Sequence, residues 1–232
     1  MSLNNNFNIR RLERYLSVAY DSGAAPVVVL TKSDLCSDVE SKITEVQSAA
    51  PGVDVLAISS LDEDYEAVMK YILPGKTVAF IGSSGVGKST LINKLTGTNR
   101  IATREIGNDD KGRHTTTHRE LITLQNGAFV IDTPGMRELG MWDSGDGINT
   151  AFADIEELSR ACKYADCTHT AEPGCAVLKA LADGTLDSAR LASYWKLKTE
   201  NDYAADNSRY LEAKRAKFKE IARINKSGRK YR

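Results

Sequence analysis

The chain has 232 residues, 41% of them hydrophobic, and 31 Lys/Arg balance 31 Asp/Glu, a composition that excludes a disordered or fibrous chain. Its longest apolar runs, such as Pro26 to Leu30, are only strand-length, and the start MSLNNNFN resembles neither a signal peptide nor an anchor. No membrane-spanning helix is expected, and the cytoplasm is the expected compartment. The zero net charge hides an asymmetry, because Arg209 to Arg232 holds ten Lys/Arg against two Glu.

Ile9, Leu12, Leu16 and Ala19 share one helical face, with Arg10, Arg11, Glu13 and Arg14 facing away and Gly23 as a C-terminal stop, so the chain opens with a helix. Pro26 to Leu30 reads as a buried strand that ends in Thr31-Lys32-Ser33-Asp34. The C-terminal edge of a parallel sheet is where ligands bind. An aspartate there can accept two hydrogen bonds from a guanine base, so Asp34 would select GTP over ATP, and Lys32 would lay its stem along the base. Taken alone, T-K-x-D is equally an ordinary surface turn, and its weight comes from the glycine-rich motif downstream at residues 82–89.

A helix capped by Ser37 runs through Val39, Ile43 and Val46, Pro51-Gly52 turns the chain, and Val53 to Ile58 forms a strand ending at Ser59-Ser60. Ser59 either positions a backbone N–H toward the guanine O6 or caps the helix of Tyr65, Val68 and Met69; both readings stay open.

The central stretch is residues 76–90, KTVAFIGSSGVGKST, where Val78 to Ile81 form a buried strand and Leu91, Ile92 and Leu95 have helix spacing. Gly82, Gly87, Lys88 and Ser89 fill G-x-x-x-x-G-K-[ST], the P-loop pattern. Backbone N–H groups from Gly82, Ser83, Ser84, Gly85, Val86 and Gly87 would surround phosphate oxygens, which favours glycine at the sharpest bends. Lys88 would reach the β- and γ-phosphates, Ser89 would hold Mg²⁺, and Thr90 would contact the α-phosphate.

Residues 97–117 are rich in glycine and charge and read as a switch, in which Thr116 would complete the Mg²⁺ shell. Glu120 to Leu124, the Asn126-Gly127 turn and Ala128 to Ile131 predict a hairpin that presents Asp132-Thr133-Pro134-Gly135. Asp132 would bind Mg²⁺ through water, and the Gly135 N–H would contact the γ-phosphate. The position after this motif is Met136, which cannot orient water, so slow intrinsic turnover is expected, with His114 as the alternative group for positioning water.

Cys162, Cys167, His169 and Cys175 form C-x4-C-x-H-x5-C, four ligands suited to one closed, structural Zn²⁺. Helices come next, and Tyr210 to Ile224 reads as a basic amphipathic helix able to meet nucleic-acid phosphates.

Most GTPases present P-loop, switch threonine and D-x-x-G before the guanine-reading motif, whereas here Thr31 to Asp34 and Ser59 precede Gly82. The order predicts a circularly permuted α/β GTPase domain over residues 1–147, a mostly parallel sheet with helices on both faces, and a small helical zinc-binding domain over 148–232. TKSD, GSSGVGKST, GRHTTT and DTPG, followed by CKYADCTHTAEPGC, resemble the ribosome small-subunit-dependent GTPase A (RsgA/YjeQ) family over residues 1 to about 225. The resemblance implies a GTP/GDP- and Mg²⁺-using enzyme in late maturation of the 30S ribosomal subunit, stimulated by that subunit and its 16S rRNA. The chain is expected to be a monomer with no membrane partner. Family members begin with an OB-fold domain and a strand leading into the SLNNNFN-like stretch; here Met1 falls at that stretch, so part of the ribosome grip and one strand are expected to be missing. The competing reading is a nucleotide-gated RNA-binding scaffold with negligible turnover.

Overall fold

A computed structural model describes residues 1–59, 65–97, 120–132 and 145–206. The chain divides into two compact units, one carrying Met1–Ala19, with most of the first helix, and the stretch that begins at Gly23, the other carrying Tyr20–Ser22 and the helices from Gly145 onward.

The first unit opens with α1 (Ile9–Asp21), which buries Leu12 and Leu16 one turn apart. Asn8 caps it, its side-chain oxygen accepting the Arg11 N–H at 2.9 Å. Glu13 departs from the amphipathic reading: it is fully buried and pairs with Arg10 at 2.6 Å, instead of facing solvent. After Gly23, at φ 71°, comes β1 (Val27–Thr31), then α2 (Val39–Ala49) and β2 (Asp54–Ile58). The cap of α2 is Asp38, whose carboxylate accepts the Ser41 N–H at 3.0 Å, and not Ser37 as the sequence suggested. A carboxylate one residue nearer the helix both satisfies that donor and meets the positive end of the helix dipole.

β1 and β2 pair in parallel, Val27 opposite Asp54 through Thr31 opposite Ile58. The one-turn α3 (Glu66–Met69) leads to β3 (Thr77–Phe80), then α4 (Lys88–Thr96), β4 (Glu120–Thr123) and β5 (Phe129–Asp132). β5 is the middle strand, parallel to β3 and antiparallel to β4. The hairpin turns at Asn126-Gly127, where Gly127 takes φ 81° and the Asn126 side chain accepts the Ala128 N–H at 3.0 Å. Leu91 and Ile92 of α4, Ile72, Ile122, Ala128 and Val130 close one core. Burying the apolar side of α4 in this way anchors its first residues at the end of β3, where the P-loop lies.

Among the described residues the strands form a two-stranded sheet, β1-β2, and a three-stranded sheet, β3-β5-β4. Residues 1–3 lie along β1, where Ser2 bridges Thr31 in parallel and the Leu3 N–H donates to Thr31 O at 2.8 Å.

The second unit is helical: α5 (Gly145–Ala151), α6 (Ala153–Arg160), α7 (Ala176–Ala182) and α8 (188–206). Ile148, Phe152, Ile155, Val177, Tyr194 and Leu197 form its interior. Phe152 and Tyr194 meet edge-on with ring centroids 5.6 Å apart. Arg190 is almost fully buried but compensated, forking onto both carboxylate oxygens of Asp154 at 2.7 Å and donating to Ala151 O at 3.0 Å. No helix among the described residues is long and apolar enough to cross a membrane.

Candidate nucleotide site and metal centre

The P-loop begins where β3 ends. Gly85 and Gly87 take φ 79° and 94°, the left-handed region that a side chain resists. At Gly87 the constraint is the backbone alone, because a Cβ would come no nearer than 3.9 Å to the Thr31 hydroxyl. The Leu91 N–H donates to Gly87 O at 2.9 Å and starts α4, whose positive N-terminal end thus lies at the loop, where helices favour an anion. Lys88 Nζ folds back over the loop, donating to Gly82 O at 2.7 Å and Ser83 O at 2.9 Å. An ammonium held by two carbonyls beside a glycine-rich turn at a helix N-terminus fits a phosphate chain.

A second strand end meets this loop, and a third meets the turn that follows it. The Thr31 hydroxyl donates to Val86 O at 2.6 Å, tying the end of β1 to the P-loop. Lys32 then takes the left-handed conformation, φ 59°, and starts a 3-10 turn over Ser33–Leu35. This turn carries the exposed Asp34 carboxylate to the end of β2, where Asp34 Oδ1 accepts the hydroxyl of the buried Ser59 at 2.8 Å. Ser59 is not the cap of α3, which begins at Glu66 with Tyr65 before it. Its alternative reading as a helix cap is therefore set aside.

Two residues at the loop escape a reading of the sequence. Asn6 Nδ2 donates to Ser83 Oγ at 3.0 Å, and Arg11 reaches the same oxygen at 3.3 Å. Asn6 belongs to a polar run that carries no motif, and Arg11 sits on a helical face read as solvent-exposed. Position 6 shortly before a helix cap was the only available hint.

Ser60, His114, Thr116, Gly135, Met136 and the basic stretch from Arg209 to Arg232 lie outside the described residues, as does the side chain of Asp132, whose backbone ends β5.

In the second unit, the ligand atoms of Cys162, Cys167, His169 and Cys175 all lie within 4.8 Å of one another. Cys162 Sγ is 3.8 Å from Cys175 Sγ, and His169 Nδ1 is 3.5 and 3.4 Å from these two sulfurs. Ser159 donates to Ile155 O at 2.9 Å and so offers its oxygen to His169 Nε2 at 3.0 Å. A partner at Nε2 orients the ring with Nδ1 toward the sulfurs, the arrangement that suits a metal-binding imidazole.

Burial works against the Cys162 thiolate, but N–H groups of Ala176 and Val177 and the neighbouring thiols outweigh it and lower its pKa. For Cys167, burial and then the other two thiols push the pKa up to about 11. Three thiols crowded in this way ionise together only around a cation, so the donor set fits a divalent metal with soft-ligand preference. The loop also has its own brace. Glu172 accepts N–H groups of Thr168, Thr170 and Ala171 at 2.8, 2.9 and 3.1 Å, and the Thr168 hydroxyl as well, contacts that hold its carboxyl well below the usual range. Gly174, at φ 78°, is favoured by conformation and by space: a Cβ would stand 3.0 Å from that of Lys163, closer than ordinary packing.

A family model described as RsgA GTPase matches residues 1–142. The chain belongs to the RsgA GTPase family. Across 214 residues it is 55% identical to the small ribosomal subunit biogenesis GTPase RsgA 2 of Lactiplantibacillus plantarum, covering 91% of this chain and 60% of that protein. A relative in Methanosarcina acetivorans, named small ribosomal subunit biogenesis GTPase RsgA, is 44% identical over 236 residues, with 99% and 63% covered. Among solved structures, YloQ, described as a circularly permuted GTPase, aligns with a TM-score of 0.62 at 30% identity, covering 87% of this chain and 66% of that one. YjeQ from Thermotoga maritima has the same fold, with a TM-score of 0.62 at 24% identity, covering 87% of this chain and 69% of that one. The chain thus has the circularly permuted GTPase fold and spans about 60% of the length of the curated relatives it matches.

Proposed function

We propose that this RsgA-family chain binds and hydrolyses GTP with Mg²⁺ and uses its nucleotide state to control work on the small ribosomal subunit. The observation that carries the reading is the Thr31 hydroxyl on Val86 O, 2.6 Å: the end of β1, which leads into the turn that would read guanine, is fastened to the phosphate loop although it precedes it in the chain, and Ser59 at the end of β2 holds the Asp34 carboxylate of that turn at 2.8 Å.

In this reading Asp34 accepts the guanine edge, and the loop from Gly82 to Thr90 holds the phosphates. Lys88 neutralises them, while Ser89, Asp132 and Thr116 serve Mg²⁺. Gly135 and His114 act on the γ-phosphate side. The ion would supply charge neutralisation between the β- and γ-phosphates, and this chain's own residues supply position and base choice. Cys162, Cys167, His169 and Cys175 hold one structural Zn²⁺ that organises the second unit. We assign a GTPase domain to residues 1–147 and a zinc-binding domain to 148–232, the latter ending in a basic segment for 16S rRNA; the division into compact units falls earlier, ahead of α5. The relatives' role in small-subunit biogenesis supports a cytoplasmic, ribosome-associated location, and we assign the chain a monomeric state.

The test is GTP turnover by the purified chain alone, with 30S subunits and with 50S subunits. Slow turnover that rises with 30S particles only is expected. Equal affinity for GTP and ATP in a competition assay would overturn the guanine reading, and no response to 30S subunits would overturn the partner.

A further inference from the structure

Asn6 and Arg11 belong to none of the motifs assigned above, yet both close on Ser83, the second residue of the P-loop. Asn6 Nδ2 donates to Ser83 Oγ at 3.0 Å, and Arg11 Nη1 donates to the same oxygen at 3.3 Å and to Asn6 Oδ1 at 2.5 Å. Ser83 is buried, 4% exposed, and its carbonyl accepts Lys88 Nζ at 2.9 Å. One residue is thus gripped through its side chain by an amide and a guanidinium, and bound through its carbonyl to the ammonium that meets phosphate.

The grip is itself built. Asn4 accepts the Ser2 hydroxyl at 2.8 Å and the Asn6 N–H at 3.1 Å, while the fully buried Ser2 bridges Thr31 at the end of β1. Arg11 is set in the first turn of α1 by the Asn8 cap at 2.9 Å. Among the described residues Arg11 has no carboxylate partner, so its charge faces the loop uncompensated. Such a charge favours an anion at the loop, and the more so the more negative that anion is.

We propose that Asn6 and Arg11 are positioning residues that act through Ser83 on Lys88 and set the preference for a nucleoside triphosphate over the diphosphate. The inference rests on the guanine-nucleotide reading above. If Ser83 shifts, the carbonyl that aims Lys88 shifts with it. The triphosphate, which uses Lys88 at both β- and γ-phosphates, loses more than the diphosphate, which uses it at one.

The test is equilibrium binding of fluorescent GTP and GDP with Mg²⁺ to the full chain, beside thermal unfolding of the nucleotide-free protein, for N6A, R11Q, R11K, S83A and N6A/S83A. GTP affinity should fall about tenfold in N6A, R11Q and S83A and GDP affinity about threefold or less. R11K should recover part of the GTP preference, and N6A should add nothing in the S83A background, because both act through one oxygen. The proposal is overturned if GTP and GDP weaken by the same factor, if N6A and S83A are additive, or if the variants bind like wild type. Failure of the wild-type chain to bind either guanine nucleotide would overturn the functional reading and this inference with it.

Discussion

The first unit gathers its candidate ligand-binding atoms from Thr31, Asp34, Ser59 and the loop Gly82 to Ser89, and each group sits where a strand of a packed sheet ends. The second unit takes its four from one irregular stretch, Cys162 to Cys175, between α6 and α7. Strand ends are held by a core that forms whatever is bound: Ile92 and Val130, both fully buried, fix the P-loop helix against β5 with no help from a ligand. A loop has no such core. Glu172 and Gly174 shape it locally, but three thiols brought close enough to share a metal repel one another as thiolates. The difference teaches that the first unit builds its phosphate loop on a core that needs no ligand, whereas the second unit brings four soft ligands together in a loop with no core of its own, which in the proposed function a metal would hold.

The sharpest way to break this comparison is to remove the metal. Structural zinc contributes on the order of 10 kcal/mol of apparent binding free energy, which in a small domain is folding free energy. Chelation, or Cys175→Ser, should therefore melt the second unit, read as lost helical circular dichroism and as altered emission from Trp195, whose ring lies 6.1 Å from that of His169. GTP affinity should stay within about twofold of its starting value in the same samples. A second unit that keeps its helices without metal would erase the distinction drawn here. Metal analysis should find about one zinc per chain.

Removing Asp34 tests the other side. Asp34→Ala deletes a carboxylate that accepts from Ser59 and, in the proposed function, from guanine, at a cost of about 2–3 kcal/mol, roughly 50-fold in GTP affinity. ATP binding should barely change, and the unfolding temperature of the nucleotide-free protein should move by only a few degrees. Equal losses for GTP and ATP would mean that the residue holds the loop rather than reads the base.

These two sites were legible in the sequence for the same reason: both are short-range patterns whose spacing is dictated by chemistry. Glycines at a phosphate turn and soft ligands around a tetrahedral ion leave little freedom. The strands were legible too, from the three valines of β1 and from Val78 to Phe80 of β3, but the expectation that β3 is buried is corrected: Val78 and Phe80 are half-buried and Ala79 is exposed, because side chains alternate between the two faces of a strand and no residue of β3 is buried. What escaped notice depends on partners distant in the chain or on the backbone path. Glu13 looked like part of a solvated face and is fully buried against Arg10. Arg11 sits on the same face and turns to Ser83, 72 residues away. Ser37 and Asp38 are both good caps, and only the backbone path decided for Asp38. Helical periodicity reports which face is apolar, not where a long charged side chain ends.

A smaller effect sharpens the contrast at the metal loop. Ser159→Ala removes the oxygen offered to His169 Nε2 at 3.0 Å, leaving the ring free to turn. Zinc affinity should fall about tenfold or more in competition with a calibrated chelator, as orienting partners of metal-bound histidines usually show. Ser159→Thr keeps the hydroxyl and should restore most of it. No change in Ser159→Ala would place the imidazole orientation under the control of Trp195 and the loop backbone instead.

The smallest expected effect bears on how the permuted strands act as one site. Thr31→Val keeps the shape of the side chain and deletes only the hydroxyl that meets Val86 O at 2.6 Å. The Val86 carbonyl lies in a part-buried setting, so the loss should be about 1 kcal/mol, roughly fivefold in GTP affinity. The sheet pairing of Thr31 with Ile58 is made by backbone and should survive, which predicts an almost unchanged unfolding temperature. If affinity is instead preserved while stability drops, the bond serves the sheet and not the ligand. The P-loop and the guanine-reading turn would then be neighbours by packing alone, and the tie between motifs that stand in reversed chain order would have to come from the base itself.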